Sequence, residues 1–134
     1  MKKYLITLLL LSGCYDEEVV CDDQQSIYVV YNSQEDRRIC ETKDLCSDII
    51  GKHLDVDGVY LEFASEDRTY ELCLNDEAAG CAYEDSIYVS YIDDLLESDL
   101  LCHEFIHLTY NDPNHEGPEF KALYEWFGRL QLEE

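Results

Sequence analysis

Apolar and polar positions follow three different rhythms along this chain, and each rhythm predicts a different element. The stretch "SIYVVY" (26–31) is β-branched and aromatic throughout, which suits a strand. "ETKDLCSDIIGKHL" (41–54) instead sets Leu45, Ile49, Ile50 and Leu54 at helical spacing, and the polar "DVDGV" that follows is a turn. "VYLEFA" (59–64) and "TYELCL" (69–74) read as strands of a hairpin joined by "SEDR". "NDEAAG" is a loop, and "SIYVSYI" (86–92) is a further strand. From Asp93 the rhythm becomes helical. Asp93 or Asp94 can cap that helix, and Glu97 suits its first turns. Leu101, Phe105 and Leu108 share one face, flanked by Cys102 and Ile106, which predicts a central buried helix. Asn111, Asp112 and Pro113 stop it. Gly117 and Pro118 then open a last helix with an apolar stripe of Phe120, Leu123, Tyr124, Phe127 and Leu130. Together these elements predict one α+β domain, with a small mixed or antiparallel sheet packed against three helices.

The length of 134 residues agrees with one core rather than two. The first thirteen residues stand apart from it. Lys2 and Lys3 precede the apolar "YLITLLLL", which is too short to span a bilayer and has the layout of an export signal. Its ending, Leu11-Ser12-Gly13-Cys14, resembles the lipobox of bacterial lipoproteins. That resemblance implies cleavage before Cys14, lipidation of its thiol, and a protein anchored in the cell envelope. Tyr15 in the next position implies the outer membrane in a cell that has two. The expected organisation is therefore a signal peptide at 1–13, an acidic lipidated tether at 14–25, and the folded domain at 26–134.

Charge and cysteine count support export. Asp and Glu number 31 against nine Lys and Arg, a formal charge of −22, and losing Lys2 and Lys3 would make it more negative still. Such a field argues against binding nucleic acid or an anionic lipid surface. Of seven cysteines, the six other than Cys14 make an even set, which predicts three disulfides in an oxidising compartment. Cys73 and Cys81 flank a turn-like loop and are expected to pair, and Cys102 should tie its helix to neighbouring structure.

Three of four histidines fall between 103 and 120. His103-Glu104-Phe105-Ile106-His107 is an HExxH sequence: two imidazoles one helical turn apart can bind a single zinc ion, and the glutamate beside the first can act on a water molecule there. A catalytic zinc needs a third protein ligand. His115, just past the helix stop, is the leading candidate, with Glu119, Glu125 and Glu116 as rivals. Tyr110 and Tyr124 are the nearest candidates for an oxyanion stabiliser, whereas His53 reads as a surface residue.

With His115, Gly117 and Phe120 after it, the HExxH sequence resembles the SprT-like zinc metallopeptidases of the zincin type. The similarity covers about residues 86–127. It implies zinc on His103, His107 and His115, Glu104 as general base, and a protein or peptide substrate. It also implies that a sheet edge, for which 86–92 is the candidate, pairs with the extended substrate. The spacing from His107 to His115 is shorter than in that family, and Glu116 separates His115 from Gly117. The expected function is a membrane-anchored zinc peptidase. The alternative is a non-enzymatic envelope lipoprotein that binds a partner and whose zinc site is structural or vestigial.

Overall fold

The computed structural model describes residues 15–110 and 114–133, with side chains as far as Gly128. The expected signal peptide, Cys14, the helix stop at 111–113 and the Leu130 side chain lie outside these described residues. Five strands form one mixed sheet: β1 (Glu17–Val20), β2 (Ser26–Val30), β3 (Val59–Ala64), β4 (Gly80–Tyr83) and β5 (Ser86–Ser90), in spatial order β1-β2-β3-β5-β4. The central β2, β3 and β5 run parallel, and β1 and β4 are antiparallel to their neighbours at the two edges. Among the described residues four helices accompany the sheet: α1 (Ile39–Ile50), α2 (Glu66–Cys73), α3 (Leu100–Tyr110) and α4 (Pro118–Glu133). The α+β expectation holds at that level, with the sheet mixed rather than wholly antiparallel.

The core lies on one face of the sheet. Ile27, Val29, Val59, Leu61, Phe63, Ile87 and Val89 alternate inward and are fully buried against Ile39, Leu101, Phe105, Phe120 and Leu123 of the helices. Alternation fixes this outcome, because a one-residue slip would turn every apolar side chain outward. The opposite face carries Tyr28, Tyr60 and Tyr88 and is partly covered by α2. There Tyr60 and Arg68 both donate to buried Glu62, at 2.9 and 2.6 Å. Behind the end of β5, the side chain of Gln34 donates to the Ile92 carbonyl at 2.7 Å and accepts from its N–H at 2.8 Å.

Several expectations give way to tertiary partners. Residues 17–20, expected in a loose tether, are an edge strand: the Tyr31 hydroxyl donates to Glu17 and the Tyr31 N–H to Asp16, so ordered structure begins well before residue 26. The expected strand at 69–74 is helix α2. Ser65 accepts from the Arg68 N–H as its N-cap, and Glu66 and Asp67 fill its first turn. A short alternating apolar run carries too little period to separate strand from helix, and the cap decides. The helix expected from Asp93 begins at Leu100. Asp94 instead receives Arg38 and the Leu96 N–H, and Asp36 receives the Leu95 N–H, which commits 93–97 to turns. Finally, α1 stops at Gly51 in the left-handed region (φ 69°), leaving Leu54 in the core but beyond the helix.

Six cysteines form three disulfides: Cys21–Cys40, Cys46–Cys102 and Cys73–Cys81. The first pins β1 to α1, the second holds α3 against α1, and the third joins the end of α2 to edge strand β4.

Candidate metal centre

Helix α3 supplies the first two histidines. Its Leu101, Cys102, Phe105 and Ile106 are buried in the core, which turns the remaining face, with His103 and His107, toward a cavity of about 480 Å³. Residues four apart on a helix lie one above the other, so both imidazoles reach one point. Their Nε2 atoms are 3.1 Å apart.

His115 comes from the segment before α4. Its backbone sits in the left-handed region at φ 59°, a conformation that non-glycine residues adopt only where surroundings enforce it. This bend turns the chain back on α3. His115 Nε2 ends 2.9 Å from that of His107 and 3.0 Å from that of His103. Phe120, fully buried at the start of α4, forms a floor beneath all three rings, with centroid distances of 4.9, 4.9 and 4.8 Å to His103, His107 and His115.

Three ring nitrogens in so tight a triangle cannot satisfy one another, since a neutral imidazole offers one donor and one acceptor, and cationic rings would repel. A shared cation resolves the conflict. The set His103, His107 and His115 therefore has the donor chemistry and convergence to hold a metal ion. Burial and the two neighbouring histidines press the His103 pKa down to about 4, which favours the neutral form that a metal requires. Tyr124 Oη lies 3.3 Å from His103 Nδ1, on the side of the ring away from the triangle, where a partner orients the ring.

Glu104 is only 3% exposed, yet it lines the same cavity. Burial raises its carboxyl pKa to about 7. Its nearest wall is edge strand β4, and Gly80 makes the approach possible. A Cβ at residue 80 would meet Glu104 Oε2 at 3.2 Å, the Tyr88 carbonyl at 3.1 Å and Val89 Cγ1 at 2.9 Å.

The other sequence candidates fall elsewhere. Glu119 is buried but held by the Lys52 ammonium at 2.7 Å, and Glu116 and Glu125 are exposed and outside the triangle. The Tyr110 hydroxyl donates to the His53 carbonyl at 3.0 Å, which leaves Tyr124 as the tyrosine beside the histidines. His53 Nε2 lies 3.2 Å from the Gln25 side chain, remote from the triangle. The strand at 86–90, expected at a sheet edge, is internal between β3 and β4, so the free edge next to the site belongs to β4. Sequence reading left β4 unassigned, with Gly80 at the end of the loop "NDEAAG" and Phe120 in an apolar stripe and not as a floor under the histidines; the glycine was the one available signal for the strand. Comparison with known proteins finds no matching family model, and no curated protein or solved structure matches the chain.

Proposed function

We propose that this protein is a zincin-like zinc peptidase, anchored to the cell envelope through Cys14. The observation that carries the reading is the convergence of three histidine Nε2 atoms at 2.9–3.1 Å beside a buried glutamate on the same cavity wall. Tetrahedral zinc, bound at about 2.0–2.1 Å, places its ligand nitrogens about 3.3 Å apart, close to this triangle. When bound, zinc would supply Lewis acidity toward a water molecule and a peptide carbonyl.

The remaining work falls to the chain's own residues. Glu104, with a pKa near neutrality, is suited to take a proton from the attacking water and return it to the departing amine. Its burial disfavours the charged form and so raises its affinity for that proton, and Gly80 leaves the side chain room. Tyr124 steadies His103 through Nδ1. The open side of β4 offers backbone groups to an extended substrate, the role expected earlier of residues 86–92.

The test separates binding from chemistry. Glu104→Gln should retain one zinc per chain and lose about 10²–10⁴-fold in hydrolysis of an unfolded polypeptide. Equal rates for variant and wild type would refute the assignment. The sequence Leu11-Ser12-Gly13-Cys14 supports anchoring at Cys14, and no helix among the described residues is long and apolar enough to cross a membrane. Cys14→Ser should release the protein from the membrane fraction, and unchanged membrane association would overturn that part.

A further inference from the structure

Substrate class is written in the charge around the cleft. The cavity in front of the histidines is bounded on one side by β4 and by the loop that precedes it, through Asn75, Ala78 and Gly80. Among the described residues, none lining it is Lys or Arg. Exposed acidic residues flank the segments that line it. Asp76 and Glu77 fall between the lining residues Asn75 and Ala78, Glu84 lies in the turn after β4, and Glu116 follows His115. All four are exposed. Residues 66–85 hold seven acidic side chains and one basic one, Arg68.

Most basic side chains among the described residues are held elsewhere, Arg37 over the Tyr31 ring among them, while Lys121 is exposed on α4. Arg68 is paired with Glu62 at 2.6 Å and Lys52 with Glu119 at 2.7 Å. Arg38 bridges Asp36 and Asp94, and Lys43 is buried against Asp23 and Asp44. Each pair cancels locally, and among the described residues no Lys or Arg forms an ion pair with Asp76, Glu77, Glu84 or Glu116. Between low-dielectric walls, charges of one sign focus the field on the opening.

The rim does not make the site. The cleft does, with buried Glu104 facing into it and a strand edge open along it. We propose that this cleft selects extended polypeptides rich in lysine and arginine, through the acidic rim of Asp76, Glu77, Glu84 and Glu116. The selection rests on the peptidase reading for its chemistry and on the rim for its sign. A backbone laid along β4 would carry side chains past both acidic ends of that strand. Acidic segments would meet repulsion in the same places.

The experiment uses the full-length, zinc-loaded chain carrying Glu104→Gln, with fluorescent peptides of equal length that are lysine-rich, uncharged or glutamate-rich. Binding is read by anisotropy in about 20 mM and about 0.5 M salt, which spans strong and weak screening. The lysine-rich peptide should bind about tenfold more tightly than the glutamate-rich one at low salt, and the gap should close at high salt. Asp76→Lys with Glu77→Lys should erase the preference. Glu41→Lys with Asp48→Lys, both on α1, makes the same charge change away from the cleft and should keep it. Equal binding of all peptides, or equal loss of preference in both double variants, overturns the proposal. Cleavage by wild type separates the two readings. Equal cleavage of lysine-rich and glutamate-rich peptides overturns the selectivity and leaves the peptidase standing. Selective binding without any cleavage supports the selectivity and overturns the peptidase.

Discussion

Removing the Cys46–Cys102 disulfide should destabilise the domain more than removing Cys73–Cys81, although the latter borders the cleft. The bridges close chain segments of very different length, with sequence separations of 56 and 8. In the loop-entropy model the longer closure is worth about 4 kcal/mol and the shorter about 2.5 kcal/mol. Cys46 and Cys102 are each 1% exposed, so replacing both by alanine also leaves a small cavity, adding about 1 kcal/mol. The total, about 5 kcal/mol, is a large part of the roughly 5–15 kcal/mol that holds a typical domain together. Urea unfolding followed by circular dichroism, on the two double-alanine variants and wild type, measures the difference. Because Cys102 precedes His103 and ties α3 to α1, the Cys46/Cys102 variant should also bind zinc less tightly, as its histidine pair loses its support. If that variant loses less than about 2 kcal/mol, or less than the Cys73/Cys81 variant, the loop argument fails.

On the proposed zinc reading, affinity should rank the residues around the candidate metal centre. His115→Ala removes a proposed ligand and should cost the most, Tyr124→Phe removes only the partner of His103 Nδ1 and should cost about 10-fold, and Glu119→Ala should leave affinity unchanged because Glu119 pairs with Lys52. Competition with a chromophoric chelator reads all three, and a loss for Glu119→Ala that exceeds the loss for His115→Ala would reassign the third ligand. A separate prediction concerns acid. Burial raises the Asp23 pKa, but hydrogen bonds from Lys43 and Gln25 and the ammonium charge outweigh it and hold the carboxyl at about 2, below its ordinary 3.8. A depressed folded-state pKa stabilises above the unfolded value, and that contribution is lost as pH falls from about 4 to about 2. With the Asp23 side chain 32% exposed, solvent screening reduces it to about 1 kcal/mol. Asp23→Asn should therefore be less stable than wild type at pH 6 and equal to it near pH 2; a gap that persists at the lower pH would contradict the pairing.

Local chemistry was enough for several elements of this protein. The strands at 26–30, 59–64 and 86–90 carry β-branched and aromatic runs whose period survives any context. The helical spacing of His103 and His107 brings both rings to one point, and the pairing of Cys73 with Cys81 needed only a short loop between them. Everything that depended on distant partners was settled by the assembled fold. Residues 17–20 became a strand because β2 offers them an edge and Tyr31 binds Asp16 and Glu17. The helix start moved from Asp93 to Leu100 because Arg38 and Asp36 claim the intervening turn. Glu119 lies outside the histidine triangle and pairs with Lys52, which lies 67 residues away in the chain. The place of β5 inside the sheet, and of β4 at the edge beside Glu104, follows from strand order, which no single segment encodes. Local spacing fixes which side chains share a helix face, while hydrogen bonds and packing across the fold fix which other elements meet that face.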